Sequence, residues 1–422
     1  MTHLQTELSR RRLLAATGAG LTGAMTLGAP WVKAQTTITI GVGNWAVESM
    51  TEVLETLDFT GQTGIEVEVL TRPGTPNEFI TQMAGAIQAG NSPYDVIDFE
   101  DEIASTFSRA GWLLGLDDLL AADFWDDFPP AMVEMADVWD KYNGETFRIH
   151  HNYEANYWFY RKDIFDEKGL EPPTTWEEVA ALGPEFTDEG AGIWASGDGL
   201  AKGAFLNVYV AWITRQAGGD PFATDEAYRE GLQYIYDLMH GDKVLNPASL
   251  QKDYDAINQD YTADRIFFMR QWPFFYDVAR AATDWYQEGK AEIALPPVGP
   301  AGIEYASYAA GWGFGIPRTA PNVDAARELV RFLVDIENAG RMAQIDTWYL
   351  SARNSVLEAA GDEGIAPYLK MYSDAGAINT RPFHEKFVEA VAAVEDAASS
   401  YLSDQITLDE AVEQTRTRMD AL

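Results

Sequence analysis

The segment TITIGVGNWAVESMTEVLETLDFTGQTGIEVEV, residues 37–69, alternates, then turns helical, then alternates again. Its first six residues, TITIGV, have the two-residue period of a strand. Val47, Met50, Leu54 and Leu57 then recur at helical spacing, and residues 65–69, IEVEV, return to alternation. A second helical stripe, Phe79, Met83, Ala86 and Ile87, leads into a third strand, YDVIDF, at 94–99. Strands separated by helices predict an α/β fold built on a mostly parallel sheet, with ligands beyond the carboxyl ends of the strands. Asn44, Trp45, Glu100 and Asp101 fall at such ends.

The 422 residues exceed the usual size of a single domain, so two lobes are expected. Aromatic residues make up 12%, including 13 Trp, enough for a packed core and a ring-lined pocket as well. The net charge of −36 repels phosphate backbones and anionic lipid heads, which argues against nucleic acid and membrane-surface partners.

Residues 1–34 read as a cleavable export signal. Ser9, three arginines and two leucines precede a small apolar run from Leu13 to Leu27, and Val32-Lys33-Ala34 closes it. The pattern resembles the twin-arginine signal, with Ala15 where a lysine is common. The run is shorter than the roughly 20 residues a membrane span needs. Gly18-Ala19-Gly20-Leu21-Thr22-Gly23 matches a dinucleotide-binding pattern, but no strand precedes it and it lies inside the signal. The absence of cysteine excludes disulfides, thiolate chemistry and a lipidated N-terminal Cys, so a periplasmic location without a lipid anchor is expected.

From Gly111 onward ordered motifs appear: GWLLGLDDLL at 111–120, YNGETFRI at 142–149 and YRKDIFDEKGLEPPTTWEEV at 160–179. ITRQAGGDPF, ALPPVGPAG, AGWGFGIPRTAPNVDAARELVRFLVD and YLSARNSV continue the series through residue 356. Together they resemble the carbohydrate-binding family of ABC-importer solute-binding proteins that includes maltose-binding protein. The resemblance implies two α/β lobes, each with a mostly parallel sheet flanked by helices, closing on a ligand by a hinge. It implies an N-terminal lobe of 35–147 plus 305–354 and a C-terminal lobe of 148–304 plus 355–422. It also implies a monomer that delivers its ligand to membrane permease subunits, with no cofactor, no metal and no catalysis.

A sugar site needs aromatic platforms for C–H faces and fixed polar groups for hydroxyls. By the resemblance, Tyr153 and Glu154 stand before the YRKDIF turn, Glu154 on a carboxylate position used for hydroxyls. Gln271-Trp272 carries the stacking tryptophan, and Gly311 with Trp312 gives a second ring whose flanking glycines suit close approach or a tight strand crossing. Lys202 and Trp194 stand in the second lobe, while Arg353, Arg381 and His384 lie where late segments approach the cleft. Arg353 also suits a structural clamp.

At the lobe crossing, His150 and His151 replace the family's usual proline. With Arg148, Lys202, Arg353 and Arg381 they would allow an electropositive pocket, which raises the alternative of an acidic or sulfonated sugar or an organic anion. Glu100, Asp101 and Glu154 would instead suit a polyamine. A glycosidase pair among the 66 carboxylates is a remote alternative, since nothing in the sequence fixes two of them across a cleft. Adjacent histidines on a strand point to opposite faces, so His150 and His151 do not suit one metal ion.

Overall fold

The computed structural model describes residues 36–422 except 153, 204, 283–289, 304–305 and 362–363. The expected signal segment and Tyr153 lie outside the described residues. The opening alternation forms β1 (Thr36–Val42) and β2 (Ile65–Thr71), paired in parallel over seven residues, and the third run forms β3 (Val96–Glu100), parallel to β1. Ile38, Ile40 and Val42 are fully buried, whereas the edge strand β2 alternates half-buried and exposed residues. The central strand β3 is buried along its whole length, aspartate and glutamate included.

Two short strands form a hairpin, β4 (Lys141–Tyr142) with β5 (Glu145–Thr146). The chain then enters β6 (Ile149–His150), β7 (Glu154–Ala155) and β8 (Tyr157–Arg161). Later come β9 (Phe268–Gln271), β10 (Ala291–Ala294), β11 (Ala309–Ala310) and β12 (Trp312–Gly315). The first sheet runs β2-β1-β3-β12-β6, with β12 antiparallel to both neighbours.

The second sheet, β10-β8-β9, is antiparallel throughout, where the sequence reading expects a mostly parallel one. Parallel pairing appears beside it as single bridges, Ser196 to Phe268 and Ser196 to Leu245. The continuous burial of β8 and β9 marks core strands but carries no information on direction, which the connections decide.

Three segments run side by side between the sheets. β7 pairs with β11, and Ala309 bridges Thr380. Asn156 N–H donates to Tyr308 O (2.9 Å), Ala309 N–H to Asn379 O (2.8 Å) and the Ser307 hydroxyl to Asn156 O (2.8 Å). After residue 354 the chain packs Ile365, Leu369 and Tyr372 into the core with Tyr157 and Phe159. Tyr372 accepts from Trp158 N–H (3.0 Å) and donates to Ala294 O (2.6 Å), which ties this segment to the second sheet. Thr175 caps the helix that follows: its hydroxyl accepts from Glu178 N–H (3.2 Å), while the Glu178 carboxylate accepts from Thr174 N–H (2.7 Å), one residue before the N-cap.

Candidate functional site

Five segments end at one edge of the first sheet. They are the turn Asn44–Ala46 after β1, Arg72 after β2, Glu100 at the end of β3, Trp312 at the start of β12, and His151-Asn152 after β6. Because β12 runs antiparallel, its first residue pairs with the last of β3, so Trp312 and Glu100 stand side by side.

At this edge three tryptophans form a corner. The Trp45 ring meets Trp312 edge-on at 5.4 Å and Trp348 at 6.3 Å, and Trp312 and Trp348 are 5.1 Å apart. Trp45 is 50% exposed, an unusual cost for so large a ring in a protein with a well-formed core. Arg72 stacks its guanidinium between Phe79 (4.6 Å) and Trp312 (5.1 Å), donates Nε–H to Asp98 O (2.8 Å) and pairs with Glu100. The result is an apolar, partly open ring surface flanked by a fixed, mutually neutralising charge pair.

Of the residues expected from sequence, Asn44, Trp45, Glu100 and Trp312 come together here, with Asn44 exposed. Arg72 and Trp348 join them and were missed. Arg72 follows β2 as Asn44 follows β1, so the rule on strand ends could have found it. Trp348 sits in the short turn Thr347–Tyr349, which has no periodic signal.

Asp101 lies one layer deeper, fully buried. One carboxylate oxygen pairs with Arg148 and the other accepts from Gly311 N–H (2.8 Å). Burial alone would raise its pKa, but Arg148, His150 and Arg381 hold the carboxyl well below the usual range. Arg148 also donates to Asp140 (2.6 Å) and to the carbonyls of Phe99 (3.1 Å) and Gly311 (3.3 Å). His150 pairs with Asp140, and although burial opposes its charge, that carboxylate raises its pKa overall. His151 points the other way, to Asp98 (2.8 Å), and stacks on Phe314 at 4.5 Å. Gly311 is needed here for sterics: a Cβ would strike the His150 ring. The glycine beside Trp312 thus serves the strand crossing.

The expected electropositive pocket is corrected by these pairings. Arg148 and His150 are held by Asp140 and Asp101. Lys202 is exposed and pairs with Asp396 (2.9 Å). Arg353 donates to Asp127 (2.8 Å) and to Val334 O (3.1 Å), with its guanidinium over Phe124 (5.0 Å), the clamp arrangement. Arg381 is buried against Glu102 (3.3 Å) and Asp101 (3.7 Å). His384 accepts from Lys386 N–H (3.0 Å) and meets the Phe222 ring edge-on, without joining the tryptophan corner.

In β9 of the second sheet, Gln271 is fully buried, donating to Asn258 (2.9 Å) and accepting from Trp272 N–H (3.0 Å). Trp272, 8% exposed, stacks on Phe205 at 5.5 Å and meets Tyr308 edge-on at 6.3 Å. It belongs to the core of the second sheet as much as to any surface. Trp194 is a core residue. Glu154 has its backbone in β7, paired with Ala310. A small space between Asn152, Tyr157, Pro273, Phe274, Trp348 and Leu350 brings the Trp272 loop near the corner, where the Thr347 hydroxyl also bonds the Asp277 carboxylate.

The sequence pattern of the family described as bacterial extracellular solute-binding protein matches residues 44–340. The chain belongs to this family. Among solved structures, solute-binding proteins align over nearly the whole of both chains. Maltose-bound T. maritima MalE3 has a TM-score of 0.77 at 21% identity, covering 92% of this chain and 99% of that one. A Thermotoga lettingae ABC transporter solute-binding protein with α-D-tagatose has a TM-score of 0.77 at 20% identity, with the same coverage. One from Agrobacterium vitis S4 with D-mannitol has a TM-score of 0.74 at 19% identity, covering 92% and 98%. At these identities the likeness establishes the two-lobed solute-binding fold. A probable sugar-binding periplasmic protein of Rhizobium meliloti (strain 1021) is 30% identical over 125 residues. That match spans 28% of this chain and 28% of the relative's length.

Proposed function

We propose that this solute-binding protein captures a neutral carbohydrate or polyol between two lobes and delivers it to the membrane permease subunits of an ABC importer. The observation that carries the reading is the Trp45–Trp312–Trp348 corner at the carboxyl edge of the first sheet. Flat, partly exposed rings suit the C–H faces of a sugar, and the adjoining Glu100 carboxylate, held in place by the buried Arg72, offers an acceptor to a hydroxyl. The names of the structural neighbours, with maltose, tagatose and mannitol, support the same ligand class. The carboxylate pairing of Arg148, His150, Lys202, Arg353 and Arg381 favours a neutral ligand over an acidic one.

The lobes of this reading are 35–147 with 305–354 and 148–304 with 355–422, meeting at the three side-by-side segments. Residues 1–34 act as a twin-arginine signal that takes the protein to the periplasm, and the mature chain binds as a monomer without catalysis. We keep Glu154, whose backbone lies in β7, as a proposed ligand contact.

A thermal-shift screen over neutral sugars, polyols, acidic sugars, organic acids and amines tests the proposal. A ligand at a hundred times its Kd should stabilise the protein by roughly 2.7 kcal/mol. Shifts confined to acids or amines would overturn the neutral-carbohydrate reading, and turnover of a bound glycoside on long incubation would overturn the receptor reading.

A further inference from the structure

Behind the second sheet lies a partly enclosed cavity of about 30 Å³. Trp158, Trp176, Trp212 and Tyr234 wall it, and the buried pair Asp198 and Arg270 closes one side. Arg270 donates Nε–H to Asp198 Oδ2 (3.1 Å), and its guanidinium lies 3.6 Å over the Tyr209 ring and 4.5 Å over Trp212. Arg270 Nη2 also lies 3.1 Å from Asp198 Oδ2 in the ion pair, without hydrogen-bond geometry, while Arg270 Nη1 and Asp198 Oδ1 have no hydrogen-bond partner among the described residues. Asp198 is 1% exposed and Arg270 4%.

We propose that this cavity is a built internal hydration site in which one or two ordered waters join Arg270 Nη to Asp198 Oδ1. A water needs roughly 10–15 Å³ of such space and two to four polar partners, so the volume accommodates about two and the pair supplies the partners. Removing two charges from water is expensive, and a buried pair is sustained only when its remaining donors and acceptors are met. Burial pushes Asp198 up to about 6 and Arg270 down, so both partners carry the same penalty, which water in the cavity relieves. An apolar cavity of this size would stay dry; the unmet charged atoms make this one wet.

The site lies next to the Phe205–Trp272 stack of the second core. Arg270 is 5.8 Å from the Phe205 ring, which stacks on Trp272. The inference concerns the second sheet's interior and stands whether or not the ligand is a sugar.

Ser196 also lines the cavity and is buried, so Ser196→Val fills it while Ser196→Ala leaves it open. Oxygen-17 relaxation dispersion on the whole chain counts slowly exchanging internal waters. The expected result is a loss of one or two waters in Ser196→Val and none in Ser196→Ala; an unchanged count in a folded Ser196→Val protein overturns the proposal. Should Ser196→Val fail to fold, a high-resolution crystal structure of the wild type decides. Density within hydrogen-bond distance of Arg270 Nη and Asp198 Oδ1 is the expected outcome, and an empty cavity overturns it.

Discussion

Replacing Trp45 by alanine separates ligand binding from stability more cleanly than any other change at this site. A tryptophan buries 150–250 Å² when fully covered. With half of its surface still exposed, Trp45 leaves roughly 100 Å² for a ligand to cover. At about 25 cal/mol per Å², full coverage contributes roughly 2.5 kcal/mol. Since 1.4 kcal/mol is tenfold in affinity, Trp45→Ala should weaken binding about 60-fold. In the free protein the ring's edge contacts to Trp312 and Trp348 are worth about 0.5–1.5 kcal/mol each, so the variant stays folded with a modest loss. Isothermal titration with the best neutral sugar from the thermal-shift screen measures the effect, and Trp45→Phe, which keeps a ring, should lose less. A Kd for Trp45→Ala within twofold of wild type would remove Trp45 from the ligand contact and with it the reading of the corner as a platform.

Trp272→Ala behaves differently: as a nearly buried ring stacked on Phe205, its loss should cost about 3–5 kcal/mol in urea unfolding, and a cost below about 1 kcal/mol would contradict its place in the core. Asp101 has a lowered folded pKa, so its contribution is present above the unfolded value near 3.9 and lost as pH falls through the folded one. The penalty of Asp101→Asn should therefore be full at pH 7 and shrink below about pH 4, and a pH-independent penalty would refute the charged network. For His150, with its pKa raised, the sign reverses: its contribution is full below about pH 6.5 and lost as pH rises through the folded value, so His150→Gln should cost more at pH 5.5 than at pH 9. Lys202→Ala removes an exposed ion pair worth at most about 1 kcal/mol and should leave the Kd unchanged; a clear rise in Kd would return Lys202 to the site.

The first sheet was legible because β1 and β2 alternate cleanly and the helix between them keeps its period; once their direction is known, the strand-end rule delivers Asn44, Trp45 and Glu100. Trp312 came through the family resemblance, and the antiparallel course of β12 explains why it reaches the same edge. What was not legible is pairing at a distance. The electropositive pocket failed because the carboxylates that neutralise Lys202 and Arg353 lie 194 and 226 positions away, and nothing local in the sequence announces them. The antiparallel second sheet was missed for a related reason: burial patterns in β8 and β9 are the same in either direction. Trp348 lies on a turn of three residues, too short for any period to mark.

The buried His150 of β6 bears on what kind of ligand the proposed site suits. A proline there would fix the backbone by its ring; His150 instead joins Asp140, Arg148, Asp101 and Arg381 in one buried network that ties the crossing strand to the start of the helix after β3 and to the segment before the last two helices. An anionic ligand seeking Arg148 would have to part a buried pair. Leaving a buried charge unpaired costs about 3–5 kcal/mol. A hydrogen bond to a charged group returns about 1.5–3 kcal/mol. The exchange is unfavourable, so Arg148, the most deeply paired of these cations, is poorly placed to bind an acidic ligand. A neutral polyhydroxyl ligand makes no such demand: it can lie against the exposed Trp45 ring and reach the edge of the Glu100 carboxylate without disturbing the network beneath.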